Sequence, residues 1–100
     1  MAALHVYLER ENGERLASCG DLVGAAPFVR SKSEGTLCVR FIDAYGNTVF
    51  NRGQCAVLRE EWLALVDGAP ADLEPWVRCV SDLIERCANE IHLYLRFVGD

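Results

Sequence analysis

The sequence has no long hydrophobic run. Its apolar stretches are only a few residues long, whereas roughly 20 consecutive apolar residues are needed to cross a bilayer. The first residues, MAALHVYLERENGER, also lack the basic segment, apolar stretch and small-residue cleavage site of a secretory signal. We therefore predict a cytoplasmic protein that does not bind a membrane.

Paired cysteine motifs are missing as well. The five cysteines, at positions 19, 38, 55, 79 and 87, are odd in number and form no Cys-x-x-Cys pair. This pattern fits neither a disulfide framework nor a zinc ribbon. We predict that all five thiols are reduced, and that Cys55 and Cys87 lie on buried helix faces, where a thiol behaves as a small hydrophobic group.

Basic side chains are scarce. Ten Lys and Arg residues stand against 15 Asp and Glu residues, which gives a net charge of -5. Nucleic-acid binding depends on Lys and Arg that neutralise phosphates, so this balance disfavours a nucleic acid as partner. A chain of 100 residues with 51% hydrophobic residues is instead typical of one globular domain, which we assign to residues 1–100.

Strands are predicted where apolar and polar residues alternate with a period of two. Asn12-Gly13 is a strong hairpin signal, because a type I′ turn needs positive φ at both central positions, so residues 4–8 and 15–19 should pair. The segment 20–35 has no regular pattern and is predicted to be a long loop. Further strands are predicted at residues 36–42, 48–50 and 91–98.

Two amphipathic helices are predicted in the second half of the chain. Asn51 with Gln54 forms a capping box for a helix over residues 52–66, and Asp72 should cap a second helix with Pro75 in its first turn. We predict an α+β, two-layer domain in which a mostly antiparallel sheet of four or five strands carries two helices on one face. The predicted core consists of Leu37, Val39, Phe41, Trp62, Trp76, Val80, Leu83, Leu93, Leu95 and Phe97.

Both histidines of the chain lie in similar segments, LHVYL near the start and IHLYL near the end. In each, His and Tyr alternate with apolar residues, so parity places them on the sheet face away from the helices. Tyr and Arg are enriched in protein contacts. We predict an interaction face that consists of His5, Tyr7, Arg40, His92, Tyr94 and Arg96.

Three other readings of this face remain open. A metal site would need His5, His92 and Cys38 on neighbouring strands in register, and no ligand spacing supports it. A catalytic site with a histidine base and an activated Cys38 needs the same adjacency. The face is otherwise a bland, half-exposed sheet surface. We favour a contact surface and predict no catalytic residue, no metal and no cofactor.

The stretch FIDAYGNTVFNR, residues 41–52, is rich in polar groups. It lacks the alternating oxygen ligands of an EF-hand and the basic residue and glycines of a phosphate loop. A turn followed by the helix cap accounts for most of it. Asp43, Tyr45 and Arg52 are candidates for a ligand cleft between this turn and the long loop of residues 20–35.

The segments RFIDAYGNTVFN and HLYLRFVGD resemble a group of bacterial proteins of about this length and unknown function, some of which are carried on integron gene cassettes. The resemblance implies a bacterial accessory protein of the cytoplasm and brings no catalytic residue with it. Small acidic proteins on mobile elements include immunity proteins, which are similar in size and charge only.

Two functions are therefore expected. The first is a non-enzymatic accessory protein, immunity-like, that binds another protein and forms a homodimer through the helix-free face or the last strand. The alternative is a small-molecule binding protein or minor enzyme with a cleft near Tyr45 and Arg52.

Overall fold

The computed structural model of the chain describes residues 3–99. Within them the chain forms four strands and three α-helices, in the order β1 Ala3–Arg10, β2 Arg15–Val23, α1 Ala25–Ser31, β3 Asn47–Phe50, α2 Arg52–Gly68, α3 Glu74–Asn89 and β4 Leu93–Gly99. A single turn of 3-10 helix, Val39–Phe41, lies between α1 and β3. Among these helices, none is long and apolar enough to cross a membrane.

The four strands form one antiparallel sheet in the order β2-β1-β4-β3. The predicted α+β fold is confirmed. The first hairpin turns at Gly13, whose φ is 90°, whereas φ of Asn12 is not positive, so the turn is not the predicted type I′. The final strand, β4, is paired on both sides over residues 95–98, which leaves β2 and β3 as the edges of the sheet.

The helices α2 and α3 pack together across one face of the sheet. Their two tryptophans make hydrogen bonds that hold this layer together and to the sheet. Trp62 Nε1 donates to the carbonyl of Val77 at 2.9 Å and joins α2 to α3, and Trp76 Nε1 donates to the carbonyl of Gly20 on β2 at 2.9 Å. Most of the predicted core is confirmed as buried, namely Val39, Trp62, Trp76, Val80, Leu83, Leu93, Leu95 and Phe97.

The predicted strand over residues 36–42 is wrong. This segment has strong β propensity, but its backbone N–H groups donate hydrogen bonds to a side chain and not to a neighbouring strand. The Glu61 carboxylate of α2 accepts hydrogen bonds from three successive N–H groups, those of Leu37, Cys38 and Val39, at 2.6, 3.0 and 3.1 Å. Consequently Leu37 and Phe41, both predicted to be core residues, are 65% and 61% exposed.

The predicted long loop over residues 20–35 is also wrong. Strand β2 continues to Val23, and Gly24, with φ of 97°, redirects the chain into α1. Ala26 and Val29 of α1 are buried beside Leu4 of β1, so this short helix completes one end of the helical layer. The chain therefore carries a third helix on the covered face.

The helix ends agree with the sequence in part. The capping box of Asn51 and Gln54 is confirmed, with reciprocal hydrogen bonds of 2.9 Å. The predicted cap at Asp72 is wrong, because α3 begins at Glu74 and Leu73 occupies the cap position without a side-chain hydrogen bond. Pro75 lies in the first turn as predicted.

The prediction that all five cysteines are reduced is wrong for one pair. Cys19 faces inward from β2 and forms a disulfide with Cys79 of α3, 60 positions away. Two cysteines so far apart in the sequence form no short spacing motif, so the sequence did not indicate that they pair. All five cysteines lie in the described part of the chain, and there Cys38, Cys55 and Cys87 are free and buried.

Candidate functional site

The face of the sheet opposite α2 and α3 is not covered by any helix of residues 3–99. Cross-strand pairs line up its outward side chains: His5 opposite Val98, Tyr7 opposite Arg96, and Glu9 opposite Tyr94. Val49 of β3 continues the row beyond Arg96. We call this surface the open face and define it as His5, Tyr7, Glu9, Arg15, Val49, Tyr94, Arg96 and Val98.

A buried carboxylate lies on the open face, at the end beside the first hairpin. Glu9 is only 4% exposed, although no second layer covers it. Arg96 Nε lies 3.0 and 3.1 Å from the two carboxylate oxygens of Glu9, and Arg15 Nε lies 3.3 Å from Oε2. The two arginines supply the opposite charge and the hydrogen bonds that a buried carboxylate requires.

Aromatic side chains extend this ion cluster along β1. The guanidinium carbon of Arg15 lies 3.7 Å from the ring centroid of Tyr7, close enough for a cation–π contact. The ring of Tyr7 stacks on that of His5, with 4.5 Å between the centroids. The contacts restrict the rotamers of these long side chains, so an interaction made by this face would cost less rotamer entropy.

The predicted interaction face is only partly assembled. His5, Tyr7, Tyr94 and Arg96 lie on the open face, whereas Arg40 and His92 do not. Arg40 lies in the 3-10 turn over the ring of Phe41. His92 precedes β4 with φ of 63° and its Nδ1 lies 3.2 Å from a carboxylate oxygen of Glu11, beside the first hairpin.

Sequence reasoning missed the two residues that complete the cluster, Glu9 and Arg15. Glu9 continues the parity of His5 and Tyr7 along β1, so the alternation itself was a usable signal. Arg15 faces Glu9 because a bulge shifts the register between β1 and β2. An irregularity of this kind leaves no mark on the hydrophobic pattern.

The structure does not bring His5, His92 and Cys38 together. Cys38 is buried, with its Sγ 3.6 Å from the carbonyl of Gln54. Burial, and then the nearby Glu61 carboxylate, raise the pKa of the Cys38 thiol, so Cys38 is not an activated nucleophile. In the part of the chain that the structure describes, no three His, Cys, Asp or Glu side chains could hold a metal ion.

The two other free thiols lie deeper in the core. A hydrogen bond with Cys87, and then burial, raise the pKa of the Cys55 thiol far above its ordinary value. A thiol of this kind stays protonated and packs as an apolar group. Cys55 and Cys87 are both fully buried on helix faces, as predicted.

A cavity of about 590 Å³ lies between α1 and the turn that precedes β3. Tyr45 forms part of its wall, but Asp43 and Arg52 do not. Asp43 accepts a hydrogen bond from the backbone N–H of Tyr45 at 2.8 Å and so shapes the turn, while Arg52 Nε lies 3.4 Å from the carbonyl of Ala88. The wall consists of Val23, Gly24, Ala26, Pro27, Arg30, Ser31, Ala44 and Tyr45.

Two features hold the Tyr45 side of the cavity in place. The turn packs directly on the last residue of β4: a Cβ on Gly99 would lie 2.2 Å from the carbonyl carbon of Ala44, so this position requires glycine.

The segment before the turn is bound by the carboxylate of Glu61. Burial acts to raise the pKa of Glu61, but three backbone N–H groups and Arg40 outweigh it and lower the pKa.

Comparison of the chain with protein-family models, with curated proteins and with solved structures yields no match. The open face and the cavity are therefore the two candidate sites of the described chain.

Proposed function

We propose that this protein is a non-enzymatic bacterial accessory protein that acts by protein–protein contact, and that its open face binds a second copy of the chain. The observation that carries the proposal is the buried Glu9 between Arg15 and Arg96, surrounded by half-exposed aromatic rings. Tyr and Arg are the residue types that dominate the binding energy of interfaces. An unpaired carboxylate on this face would cost more free energy to remove from water than Glu9 does between its two arginines.

A second copy is favoured because the open face carries both partners of a stacking contact, guanidinium groups and aromatic rings. Such a surface can complement itself across a two-fold axis. Strands spaced ~4.8 Å apart with a rise of ~3.3 Å per residue give the face roughly 450 Å². Two faces then bury roughly 900 Å², which corresponds to a weak, concentration-dependent dimer.

The dimer proposal predicts that Tyr94→Glu weakens self-association at least about tenfold, because the new carboxylate lies opposite Glu9 and loses water in the contact. Sedimentation equilibrium over a wide concentration range measures this. The matched control is Leu63→Glu, which places the same charge at an exposed apolar position on α2, in the other layer. A wild type that stays monomeric at millimolar concentration, or a Tyr94→Glu dimer as tight as wild type, contradicts the proposal.

The resemblance of RFIDAYGNTVFN and HLYLRFVGD to proteins of integron cassettes supports a bacterial accessory role, and the small size and acidity of the chain are the features it shares with immunity proteins. In that role the same face would bind a second protein, and the net charge of -5 favours a basic one. Purification from the native host followed by native mass spectrometry tests for a partner that replaces the second copy.

We also propose that the protein works in the cytoplasm. The free, buried thiols of Cys38, Cys55 and Cys87 are typical of a reducing compartment, whereas the Cys19–Cys79 bond is typical of an oxidising one. A cytoplasmic protein would form the Cys19–Cys79 bond of the structure only after oxidation, so both thiols should be alkylated in cells lysed directly into denaturant with an alkylating agent, and bonded after purification in air. Peptide mass spectrometry distinguishes the two states, and a pair already bonded at lysis excludes the cytoplasm.

The alternative function, small-molecule binding or minor enzymatic activity near Tyr45 and Arg52, is favoured by the cavity that includes Tyr45. Arg52 has no part in this form of the proposal, because it lies at the start of α2 near Ala88. No group on the cavity wall is an activated nucleophile or general base, so the proposal is limited to binding.

A further inference from the structure

We propose that the cavity beside Tyr45 binds a small apolar molecule that ends in a single carboxylate, and that Arg30 holds this carboxylate. The inference rests on the small-molecule function proposed above and names its ligand class.

The size of the cavity fits a small organic molecule. At about 590 Å³ it falls within the range of roughly 300–1,000 Å³ that is typical of ligand sites in proteins. The gap between α1 and the core beneath it, lined by Leu4, Val29 and Ile42, measures only about 10 Å³, which is too small for an organic ligand. The ligand therefore lies outside the core, between α1 and the turn.

The wall of the cavity is mostly apolar. Val23 and Tyr45, which are 51% and 72% exposed, both line it, and they are among the most exposed large apolar side chains of the described chain. Pro27, Ala26 and Ala44 complete the apolar surface. Apolar side chains left in water around a concave site mark a place where a partner covers them. A ligand body of hydrocarbon or aromatic character suits this wall.

Arg30 supplies the only charged side chain on the described wall. Most arginines of the structure pair with glutamates, namely Arg10, Arg15, Arg59, Arg78, Arg86 and Arg96. No acidic side chain that the structure describes pairs with Arg30, although the chain has a net charge of -5. Arg40 and Arg52 also lack an acidic side chain at ion-pair distance among the described residues, but they do not lie on the wall.

One guanidinium group without a second cation matches a carboxylate better than a phosphate. Its planar fork binds both oxygens of a carboxylate, whereas a phosphate site usually adds further cations or backbone N–H donors. The hydroxyl of Ser31, which also lies on the wall, already donates to the carbonyl of Phe28 at 2.6 Å. The wall thus offers one anion-binding group and an apolar surface beside it.

The test uses two probes of the same shape, 3-phenylpropionate and 3-phenylpropanamide, in NMR titrations that follow the methyl groups of Ala26 and Ala44. We expect wild type to bind the carboxylate at least about tenfold more tightly than the amide, since charge-assisted hydrogen bonds are the stronger class. Arg30→Gln should remove this preference and leave amide binding unchanged. Arg52→Gln, which removes an arginine outside the cavity, should behave as wild type.

Two results would overturn the inference in different ways. If wild type binds both probes equally, with shifts at Ala26 and Ala44, the cavity binds small molecules but has no preference for a carboxylate, and the ligand class proposed here is wrong. Absence of binding for both probes at millimolar concentration rejects the small-molecule function together with the ligand class. Because Arg30 is exposed, circular dichroism should show an unchanged fold for Arg30→Gln, so a lost preference reports on binding alone.

Discussion

Glu61→Ala is expected to lower the free energy of unfolding by about 3 kcal/mol, because it leaves three backbone N–H groups without an acceptor where Cys38 and Val39 are buried. For a domain of this size the melting temperature should fall by about 15 °C. Thermal and urea unfolding followed by circular dichroism measure both quantities. The control is Glu60→Ala, whose carboxylate is exposed and lies 4.0 Å from Arg59, and which should cost less than about 0.5 kcal/mol.

The same carboxylate should make stability depend on pH. The pKa of Glu61 is lower in the folded chain than its ordinary value of 4.5, so the unfolded chain binds the proton more readily. The contribution of Glu61 is therefore complete above the unfolded pKa and is lost as the pH falls through the folded pKa. The stability difference between wild type and Glu61→Gln should shrink below about pH 4.5. A difference that stays constant down to pH 2 contradicts this assignment.

Arg96→Met is expected to cost about 3 kcal/mol, because it removes the closer partner of a buried carboxylate and leaves only the exposed Arg15. Glu9→Gln should cost less, about 1 kcal/mol, since the two arginines it leaves behind can turn to water. The order of the two losses is the informative result. Urea unfolding at a concentration below that of any dimer measures it without interference from self-association.

The control for the ion cluster is Arg78→Met, which breaks a surface pair with Glu74 one turn away on α3 and should cost less than about 0.5 kcal/mol. The double variant Glu9→Gln with Arg96→Met should lose less than the sum of the single losses, because neither charge is then left alone. Additive losses, or a larger loss for Glu9→Gln than for Arg96→Met, would show that the cluster does not depend on a buried charge.

The regular elements of this fold follow from local patterns in the sequence. The alternation in β1 and β4, the apolar stripes of α2 and α3 and the capping box at Asn51 each predicted the observed element. These signals are local, because the residues that produce them are neighbours within a strand or one turn of helix. They were enough to predict the fold class and most of the core.

The segments over residues 20–42 take their structure from long-range contacts, which no local sequence pattern indicates. Residues 36–42 have the composition of a strand, and only the Glu61 carboxylate, more than twenty positions away, explains why they form none. The pairing of Cys19 with Cys79 and the docking of α1 against β1 are likewise contacts at long range. Tertiary contacts overrode the β propensity of this segment. The effect of β propensity depends on context, so even a strongly β-favouring segment need not form a strand.

The candidate sites show the same division. Parity along two strands placed His5, Tyr7, Tyr94 and Arg96 correctly on one face of the sheet. His92 left that face because its backbone takes a positive φ before the strand begins. Tyr45 lies beside the segment that was expected to face it, but the charged residue on the cavity wall is Arg30 of α1, a helix that the sequence pattern did not indicate.

The strand order β2-β1-β4-β3 places the first and last strands side by side at the centre of the sheet. Their ladder joins Leu4 to Gly99, nearly the full length of the described chain. Closing a loop of this length costs entropy before any contact compensates it, so the central ladder is slow to nucleate. On the ribosome β1 must wait for β4 to emerge, and until then one long edge of the β1–β2 hairpin remains unpaired.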